Sequence, residues 1–145
     1  MNMNSPRSIL FVCVENSCRS QIAEAFAHIH GKDPAGKEIV KPYSAGSRPA
    51  GRINPKAIAT MRELGYDLSR HKSKSLAEIP DIDYEYAITM GCGDECPFVT
   101  AKFREDWNIP DPKDMSPEDF RSVRNLIEER VKILLAEAVS QPAKK

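Results

Sequence analysis

The sequence has no excess of charge of either sign and no long apolar run. Lysine and arginine together number 21, aspartate and glutamate also number 21, and the formal net charge is zero. We therefore do not expect a strongly basic surface of the kind that binds nucleic acid or membranes. No apolar run approaches the roughly 20 residues that a membrane-spanning helix needs, and the polar segment from Met1 to Arg7 contains no apolar signal core. These absences favour a cytoplasmic protein with no nucleic-acid or membrane partner.

Internal repeats and low-complexity linkers are also lacking. The length of 145 residues is typical of one domain, so we predict a single domain over residues 1–145. The 41% of apolar residues and 29% of charged residues match a globular chain rather than a disordered one. In a reducing compartment the four cysteines are more often catalytic, redox-active or metal-binding than joined in structural disulfides.

Short apolar runs alternate with helical patterns along the chain. The predicted strands are 9–12, 39–43, 84–90 and, as a minor strand, 68–75. The predicted helices begin at Arg19, Pro55 and Pro117. Strands that alternate with helices indicate a three-layer α/β fold with a small parallel sheet. A mixed α+β sheet is the alternative.

A polar loop joins the first predicted strand to the first predicted helix. It begins at Cys13 and ends at Ser20, with Arg19 just before its end. The backbone N–H groups of such a turn have no helical partners, and the helix N-terminus carries partial positive charge, so the loop can cradle a tetrahedral oxyanion. The guanidinium of Arg19 can add a bidentate contact to two oxygens of that anion. The predicted oxyanion-binding residues are Val14, Glu15, Asn16, Ser17, Cys18, Arg19 and Ser20.

The thiol of Cys13 is the candidate nucleophile at the floor of this cradle. The field that attracts an oxyanion also favours the thiolate over the thiol, and the hydroxyl of Ser20 can donate a hydrogen bond to that thiolate. A structural interpretation competes, in which Cys13 is a buried apolar residue and Arg19 a surface residue. The strand–loop–helix context and the Asn-Ser and Arg-Ser pairs within the loop favour the catalytic interpretation.

Residues 13–25 resemble the signature loop and following helix of the low-molecular-weight protein tyrosine phosphatase superfamily, and more closely those of its arsenate reductase branch. Further matches lie at 43–46, at 54–57 and 61–69, and at the pair Asp111-Pro112. The resemblance extends along almost the whole chain. It implies a three-layer α/β/α fold in which helices flank a four-stranded parallel sheet.

The loop alone does not distinguish a phosphatase from an arsenate reductase, because phosphate and arsenate have nearly the same shape and charge. A phosphatase needs a general acid for the leaving alkoxide. The resemblance implies Asp111 in that role, with Pro112 stiffening the loop that carries it. Without the resemblance, Asp111 would be interpreted as a turn residue, because Pro-Asp-Pro is common turn chemistry.

A reductase additionally needs thiols that supply electrons. Cys13 would attack arsenic, a second thiol would attack the Cys13 sulfur and expel arsenite, and a third would relay the disulfide outward. The segment after Met90 offers Cys92 and Cys96, which we assign as the resolving and relay thiols. They follow a strand of the parallel sheet, at the same edge as the loop. Half of a zinc site is one alternative, although no second ligand pair has suitable spacing. The other alternative is that both cysteines are inert.

The spacing of these two cysteines leaves the reductant open. In thioredoxin-coupled members of the family they lie farther apart, whereas three residues separate Cys92 from Cys96 here. This form resembles a variant branch, some members of which use low-molecular-weight thiols. The expected reductant is therefore thioredoxin or a low-molecular-weight thiol with glutaredoxin, and the order of the two cysteines in the relay is open as well.

The residues after Asp111-Pro112 favour the reductase. Phosphotyrosine-binding members place aromatic residues there to wall the substrate ring, whereas this chain has Lys113, Asp114 and Met115. We therefore predict an arsenate reductase acting on arsenate or phosphate oxyanions. A protein tyrosine phosphatase is the alternative enzyme, and a non-enzymatic oxyanion or thiol-redox sensor is the alternative of another class.

A structural cation is a further implication of the resemblance. Asn16, Glu24, Ser44 and Asp67 match positions that bind potassium in some arsenate reductases, and oxygen ligands suit such an ion. The alternative is a hydrogen-bond network around Asn16 that includes His71. No other cofactor is expected to be tightly bound.

Overall fold

The computed structural model describes residues 6–91 and 99–140. Its centre is a four-stranded sheet in the order β2-β1-β3-β4, in which every neighbouring pair is parallel. The strands are β1 (Arg7–Cys13), β2 (Val40–Gly46), β3 (Tyr84–Thr89) and β4 (Ala101–Asp106). The helices are α1 (Arg19–His30), α2 (Pro55–Arg62) and α3 (Pro117–Ser140). The predicted α/β class with a four-stranded parallel sheet is confirmed.

Strand β1 lies in the interior of the sheet. Residues 9–12 have no exposed surface, because both faces of an interior parallel strand are covered. Strand β2 lies at an edge, where Pro42 is tolerated although it has no N–H to donate.

Two apolar cores cover the faces of the sheet. The larger core packs one face against the helices and contains an apolar stripe along α3. The buried residues of that stripe are Phe120, Val123, Ile127, Val131, Leu134 and Leu135. The smaller core, around Leu10 and Val12, lies beneath the 3-10 turn Leu76–Glu78.

The prediction of a minor strand over 68–75 is wrong. Leu68–Arg70 forms a 3-10 turn, and the following segment pairs with the sheet at an isolated bridge between Gly46 and Ser75. The fourth strand is β4, which the sequence analysis missed. The side chains of β4 from Lys102 to Asp106 are exposed, so this edge strand lacks the apolar run or alternation by which strands are found.

The parallel arrangement brings several loops to one edge of the sheet. Because all four strands run in the same direction, their carboxyl ends meet there. The loop after β1, the segment after β3 and the loop after β4 all leave from this edge. Within the described residues, no helix combines the length and the apolar character needed to cross a membrane.

Candidate active site

The loop between β1 and α1 (residues 13–20, the oxyanion loop) turns carbonyl groups away from its own centre. Three of its carbonyl oxygens accept hydrogen bonds from backbone N–H groups of residues 48–54. The pairs are Arg48 N to Val14 O at 2.8 Å, Ala50 N to Glu15 O at 2.9 Å and Asn54 N to Ser17 O at 2.9 Å. The carbonyl and the N–H of one trans peptide point in opposite directions. The N–H groups of residues 15, 16 and 18 therefore point into the loop, where they can bind an oxyanion.

Two backbone features give the loop its curvature. Asn16 has a φ of 50°, in the left-handed region that asparagine tolerates better than most residues. Gly46 at the end of β2 packs against the loop so closely that a Cβ there would lie 2.5 Å from the carbonyl oxygen of Val14. Glycine at position 46 therefore allows the loop to lie against β2.

Cys13 lies at the floor of the loop, where it is 4% exposed. Its Sγ is 2.9 Å from the Oγ of Ser20. The same Oγ accepts a hydrogen bond from the Nδ2 of Asn16 at 2.8 Å. Because this oxygen already accepts, the hydroxyl proton of Ser20 is available to the sulfur of Cys13, and a thiolate makes the stronger, charge-assisted acceptor. The structure thus brings the predicted nucleophile and its predicted donor together.

Replacing Ser20 by alanine is expected to slow alkylation of Cys13 by iodoacetamide at neutral pH by about tenfold, since a hydrogen bond to a charged group is lost. Mass spectrometry of the Cys13 peptide measures the rate. Ser122→Ala, which removes an exposed hydroxyl from α3, is the matched control and is expected to react like the parent protein. An unchanged rate in Ser20→Ala would exclude this role for Ser20.

The guanidinium of Arg19 is anchored by two backbone carbonyls. Its Nη1 donates to the carbonyl oxygen of Met90 at 2.7 Å and to that of Ile109 at 2.8 Å. Met90 follows β3 and Ile109 follows β4, so Arg19 joins three loops at the carboxyl edge of the sheet. Across residues 6–91 and 99–140 no acceptor engages its Nε or Nη2, and these groups can bind the oxygens of an anion.

A cavity of about 240 Å³ lies over the oxyanion loop. Its described lining residues are Cys13, Val14, Glu15, Ser17, Cys18, Arg19, Arg48, Asn54, Asp111 and Lys113. Asp111 is exposed at the mouth, where its Oδ1 accepts a hydrogen bond from the backbone N–H of Lys113 at 3.2 Å. Asn16 and Ser20 are fully buried and do not line the cavity. None of the lining residues that the structure describes is aromatic.

Two cationic residues of this lining, Arg48 and Lys113, were not predicted from the sequence. Arg48 lies shortly after β2 and is held near the loop by the hydrogen bond of its backbone N–H to the Val14 carbonyl. No pattern in the sequence indicates this approach, because it depends on contacts between distant segments. Lys113 entered the sequence analysis only because it is not aromatic. Its position two residues after Asp111 indicates that it lies at the mouth of the cavity.

The second thiol of the loop, Cys18, lies in a different environment. Burial raises the pKa of the Cys18 thiol far above its usual range, and the charge of Asp111 raises it further. Cys18 is therefore a neutral thiol at neutral pH. Its predicted place in oxyanion binding rests on its backbone N–H, which points into the loop. Cys13 and Cys18 are both free thiols in the structure.

A chain of hydrogen bonds extends from the loop to a histidine. The Nε2 of Gln21 donates to the Oδ1 of Asn16 at 2.8 Å, and its Oε1 is 2.9 Å from the Nδ1 of His71. The Nε2 of His71 is 2.6 Å from the hydroxyl of Tyr66. Since an amide oxygen accepts, His71 carries its proton on Nδ1 and accepts from Tyr66. Burial lowers the pKa of His71, so the neutral form that this network requires is also the favoured one.

The four residues matched to a potassium site do not fit a bound potassium ion. The amide oxygen of Asn16 already accepts from two N–H groups, at 2.7 and 2.8 Å, which occupies both of its lone pairs. Asp67 is exposed, and its Oδ1 caps the following 3-10 turn. Glu24 and Ser44 do lie together, 2.5 Å apart, but the ammonium of Lys74 lies 3.8 Å from the Glu24 carboxylate. The predicted ligand set is therefore not assembled.

The predicted relay cysteines, Cys92 and Cys96, lie outside the described residues. The chain leading to them is described as far as Gly91, which has a φ of 93°. The residue before it, Met90, supplies one of the two carbonyls that bind Arg19. This segment therefore leaves the sheet directly beside the oxyanion loop.

Residues 8–144 match the family model of the low molecular weight phosphotyrosine protein phosphatases. The chain belongs to this family. The predicted membership in this phosphatase family is thus confirmed.

Several arsenate reductases are similar to this chain along most of its length. The glutaredoxin arsenate reductase of Synechocystis sp. is 41% identical over 133 residues, which cover 90% of this chain and 97% of the relative. A solved structure of an arsenate reductase in the phosphate-binding state has a TM-score of 0.79 and 41% identity, covering 91% of this chain and 98% of that chain. The structure of a thioredoxin-dependent arsenate reductase from Corynebacterium glutamicum has a TM-score of 0.71 and 33% identity, covering 94% of this chain and 65% of that chain.

Proposed function

We propose that this member of the phosphatase family is an arsenate reductase, which converts arsenate to arsenite. The observation that carries the proposal is the cavity over the oxyanion loop. It combines the thiol of Cys13 and the guanidinium of Arg19 with inward N–H groups, and none of its described lining residues is aromatic. Such a site suits a small tetrahedral oxyanion and offers no ring on which a phosphotyrosine can stack. The names of relatives at 41% identity support the same activity.

The first step forms a bond between sulfur and arsenic. The thiolate of Cys13 attacks the arsenic atom of bound arsenate, and one arsenate oxygen leaves, with protons, as water. The guanidinium of Arg19 and the inward N–H groups of the loop bind the remaining oxygens and their negative charge. Arsenic is still arsenic(V) in this adduct, so no electrons have yet been transferred.

The second step transfers the electrons. The thiolate of Cys92 attacks the sulfur of Cys13, and the S–As bond breaks with its electron pair on arsenic, which leaves as arsenite. Cys13 and Cys92 are thereby oxidised to a disulfide. Cys96 then exchanges with this disulfide, which releases the Cys13 thiolate and leaves a Cys92–Cys96 disulfide. The contact between Arg19 and the Met90 carbonyl supports this assignment, since it holds the chain that leads to Cys92 beside the loop.

An external thiol must reduce the final disulfide. We favour a low-molecular-weight thiol with glutaredoxin, because three residues separate the two cysteines and one similar protein is named a glutaredoxin arsenate reductase. Thioredoxin is the second candidate, since another similar protein is named thioredoxin-dependent. Free thiols at Cys13 and Cys18 suit a reducing compartment. We therefore place the protein in the cytoplasm, as a single domain that needs no bound cofactor.

Hydrolysis of small phosphate monoesters is the second candidate activity. Asp111 lies at the mouth of the same cavity as Cys13, where a carboxylic acid can protonate a leaving alkoxide. The two activities share the nucleophile and the oxyanion loop. They differ in their need for Cys92 and Cys96, because ester hydrolysis requires no transfer of electrons.

Replacing Cys92 by serine is expected to lower arsenate turnover by at least about tenfold, because an external thiol must then resolve the Cys13 adduct unaided. Hydrolysis of an aryl phosphate by the same variant is expected to remain unchanged, and this serves as the internal control for folding and for the oxyanion loop. Both rates are measured on one preparation. Unchanged arsenate turnover would show that an external thiol, not Cys92, resolves the adduct.

A further inference from the structure

The ammonium of Lys74 lies beside Glu24 and Ser44, two of the residues matched to a potassium site. Its Nζ donates to the carbonyl oxygen of Lys72 at 2.8 Å and to the Oγ of Ser44 at 3.4 Å. The carboxylate of Glu24 lies 3.8 Å away. A backbone carbonyl, a hydroxyl and a carboxylate therefore surround one ammonium group, which has three protons to share among them.

The backbone of Lys74 also binds the oxyanion loop. The N–H of Lys74 donates to the Oδ1 of Asn16 at 2.7 Å, and its carbonyl accepts from the N–H of Gly46 at 2.8 Å. Asn16 is the residue in the left-handed conformation, and it also donates to Ser20. Lys74 is thus connected by hydrogen bonds to the residue that curves the loop.

The carboxylate of Glu24 needs a positive charge beside it. Its side chain is 13% exposed. Burial alone would raise the pKa of Glu24, but hydrogen bonds from His28 and Ser44 and the charge of Lys74 bring it below the usual value. The Oγ of Ser44 donates to Glu24 at 2.5 Å and the Nε2 of His28 lies 3.4 Å from it, contacts that favour the ionised carboxylate, and an ionised buried carboxylate needs compensating positive charge. Its uncompensated charge would also repel an anion bound in the loop.

We propose that Lys74 is a tethered cation that replaces a bound potassium ion, so that the oxyanion loop holds its shape and its anion without any added monovalent cation. Lys74 is a positioning residue, because its ammonium acts through Glu24 and Ser44 and does not line the cavity over the oxyanion loop. The inference concerns the loop itself and holds whether the bound anion is arsenate or a phosphate.

The test compares the affinity for inorganic phosphate in three salts of equal ionic strength. The full chain and its Lys74→Ala variant are titrated by calorimetry in potassium, methylammonium and tetramethylammonium chloride. Potassium can approach the oxygens of Glu24 and Ser44 closely and methylammonium can donate hydrogen bonds to them, whereas tetramethylammonium has no N–H and its methyl groups keep its charge farther from both. Lys72→Ala is the matched control, since the Lys72 side chain is 78% exposed and its backbone carbonyl is retained.

The parent protein and Lys72→Ala are expected to bind phosphate equally well in all three salts. Lys74→Ala is expected to lose about three- to tenfold of its affinity in tetramethylammonium, through the uncompensated charge of Glu24, and to recover it in potassium or methylammonium. Recovery by a small cation is a result that a merely structural role of Lys74 would not produce.

Three outcomes would overturn the inference. The first is that the phosphate affinity of the parent protein depends on potassium. The second is that Lys74→Ala binds phosphate as tightly as the parent protein. The third is that Lys74→Ala loses the same phosphate affinity in all three salts. Should Lys74→Ala fail to fold, Lys74→Gln retains most of the side chain without its charge, and the titration of the parent protein needs no variant. Phosphate binding requires no arsenate turnover, so the result is independent of the proposed reductase activity.

Discussion

The Cys13→Ser variant is expected to reduce arsenate at less than about one ten-thousandth of the parent rate, comparable to the loss on removing the nucleophile of other covalent enzymes. The sulfur of Cys13 forms the bond to arsenic and then accepts the attack of the second thiol, and a serine hydroxyl can do neither. Aryl-phosphate hydrolysis is expected to fall to a similar extent, because both reactions begin with the same attack.

Oxyanion binding is the control for this variant. The inward N–H groups and the guanidinium of Arg19 do not depend on the thiol, so Cys13→Ser is expected to bind phosphate with an affinity close to that of the parent, measured by calorimetry. Loss of both turnover and binding would mean that the substitution had disrupted the loop. Retained turnover would show that the nucleophile is another thiol, with Cys92 the next to be replaced.

The Arg19→Lys variant is expected to lose on the order of 10²- to 10³-fold in kcat/KM for arsenate, the usual effect of removing a donor aimed at developing oxyanion charge. One nitrogen of Arg19 is bound by the carbonyls of Met90 and Ile109, and the planar guanidinium leaves other N–H groups for the anion. A lysine offers a single ammonium, which cannot reach both the anchoring carbonyls and two anion oxygens.

Arg130→Lys is the matched control, since Arg130 is an exposed residue of α3, and it is expected to keep the parent kcat/KM. Phosphate affinity should weaken in Arg19→Lys together with kcat/KM. An Arg19→Lys variant with nearly parental kcat/KM would show that the guanidinium serves to join the loops rather than to bind the anion.

The sequence predicted the part of this site that a single stretch of chain builds. The oxyanion loop lies between a buried strand and a helix that begins at Arg19, and this local order is enough to place the thiol, the N–H groups and the arginine around one point. The predicted hydrogen bond between Ser20 and Cys13 is also local, because it joins the two ends of this loop. Family membership and the four-stranded sheet, both predicted from the resemblance, are confirmed.

The features that sequence patterns missed depend on contacts between distant segments. Strand β4 is an exposed edge strand that is defined by its pairing with β3, not by an apolar pattern. Arg48 reaches the cavity because its backbone N–H binds the carbonyl of Val14 in the oxyanion loop. These two residues are 34 positions apart in the sequence. The potassium interpretation placed Asp67 among the ligands by sequence position, whereas the structure puts the ammonium of Lys74 beside Glu24.

Arsenate-dependent oxidation of NADPH by the purified protein is the measurement that distinguishes an arsenate reductase from a phosphatase. One assay supplies glutathione, glutaredoxin and glutathione reductase, and the other supplies thioredoxin and its reductase. We expect sustained turnover that requires arsenate, with the glutaredoxin assay the faster of the two, and the loss of this turnover in Cys13→Ser. No turnover in either assay, together with rapid hydrolysis of an aryl phosphate, would exclude arsenate reduction and identify the protein as a phosphatase.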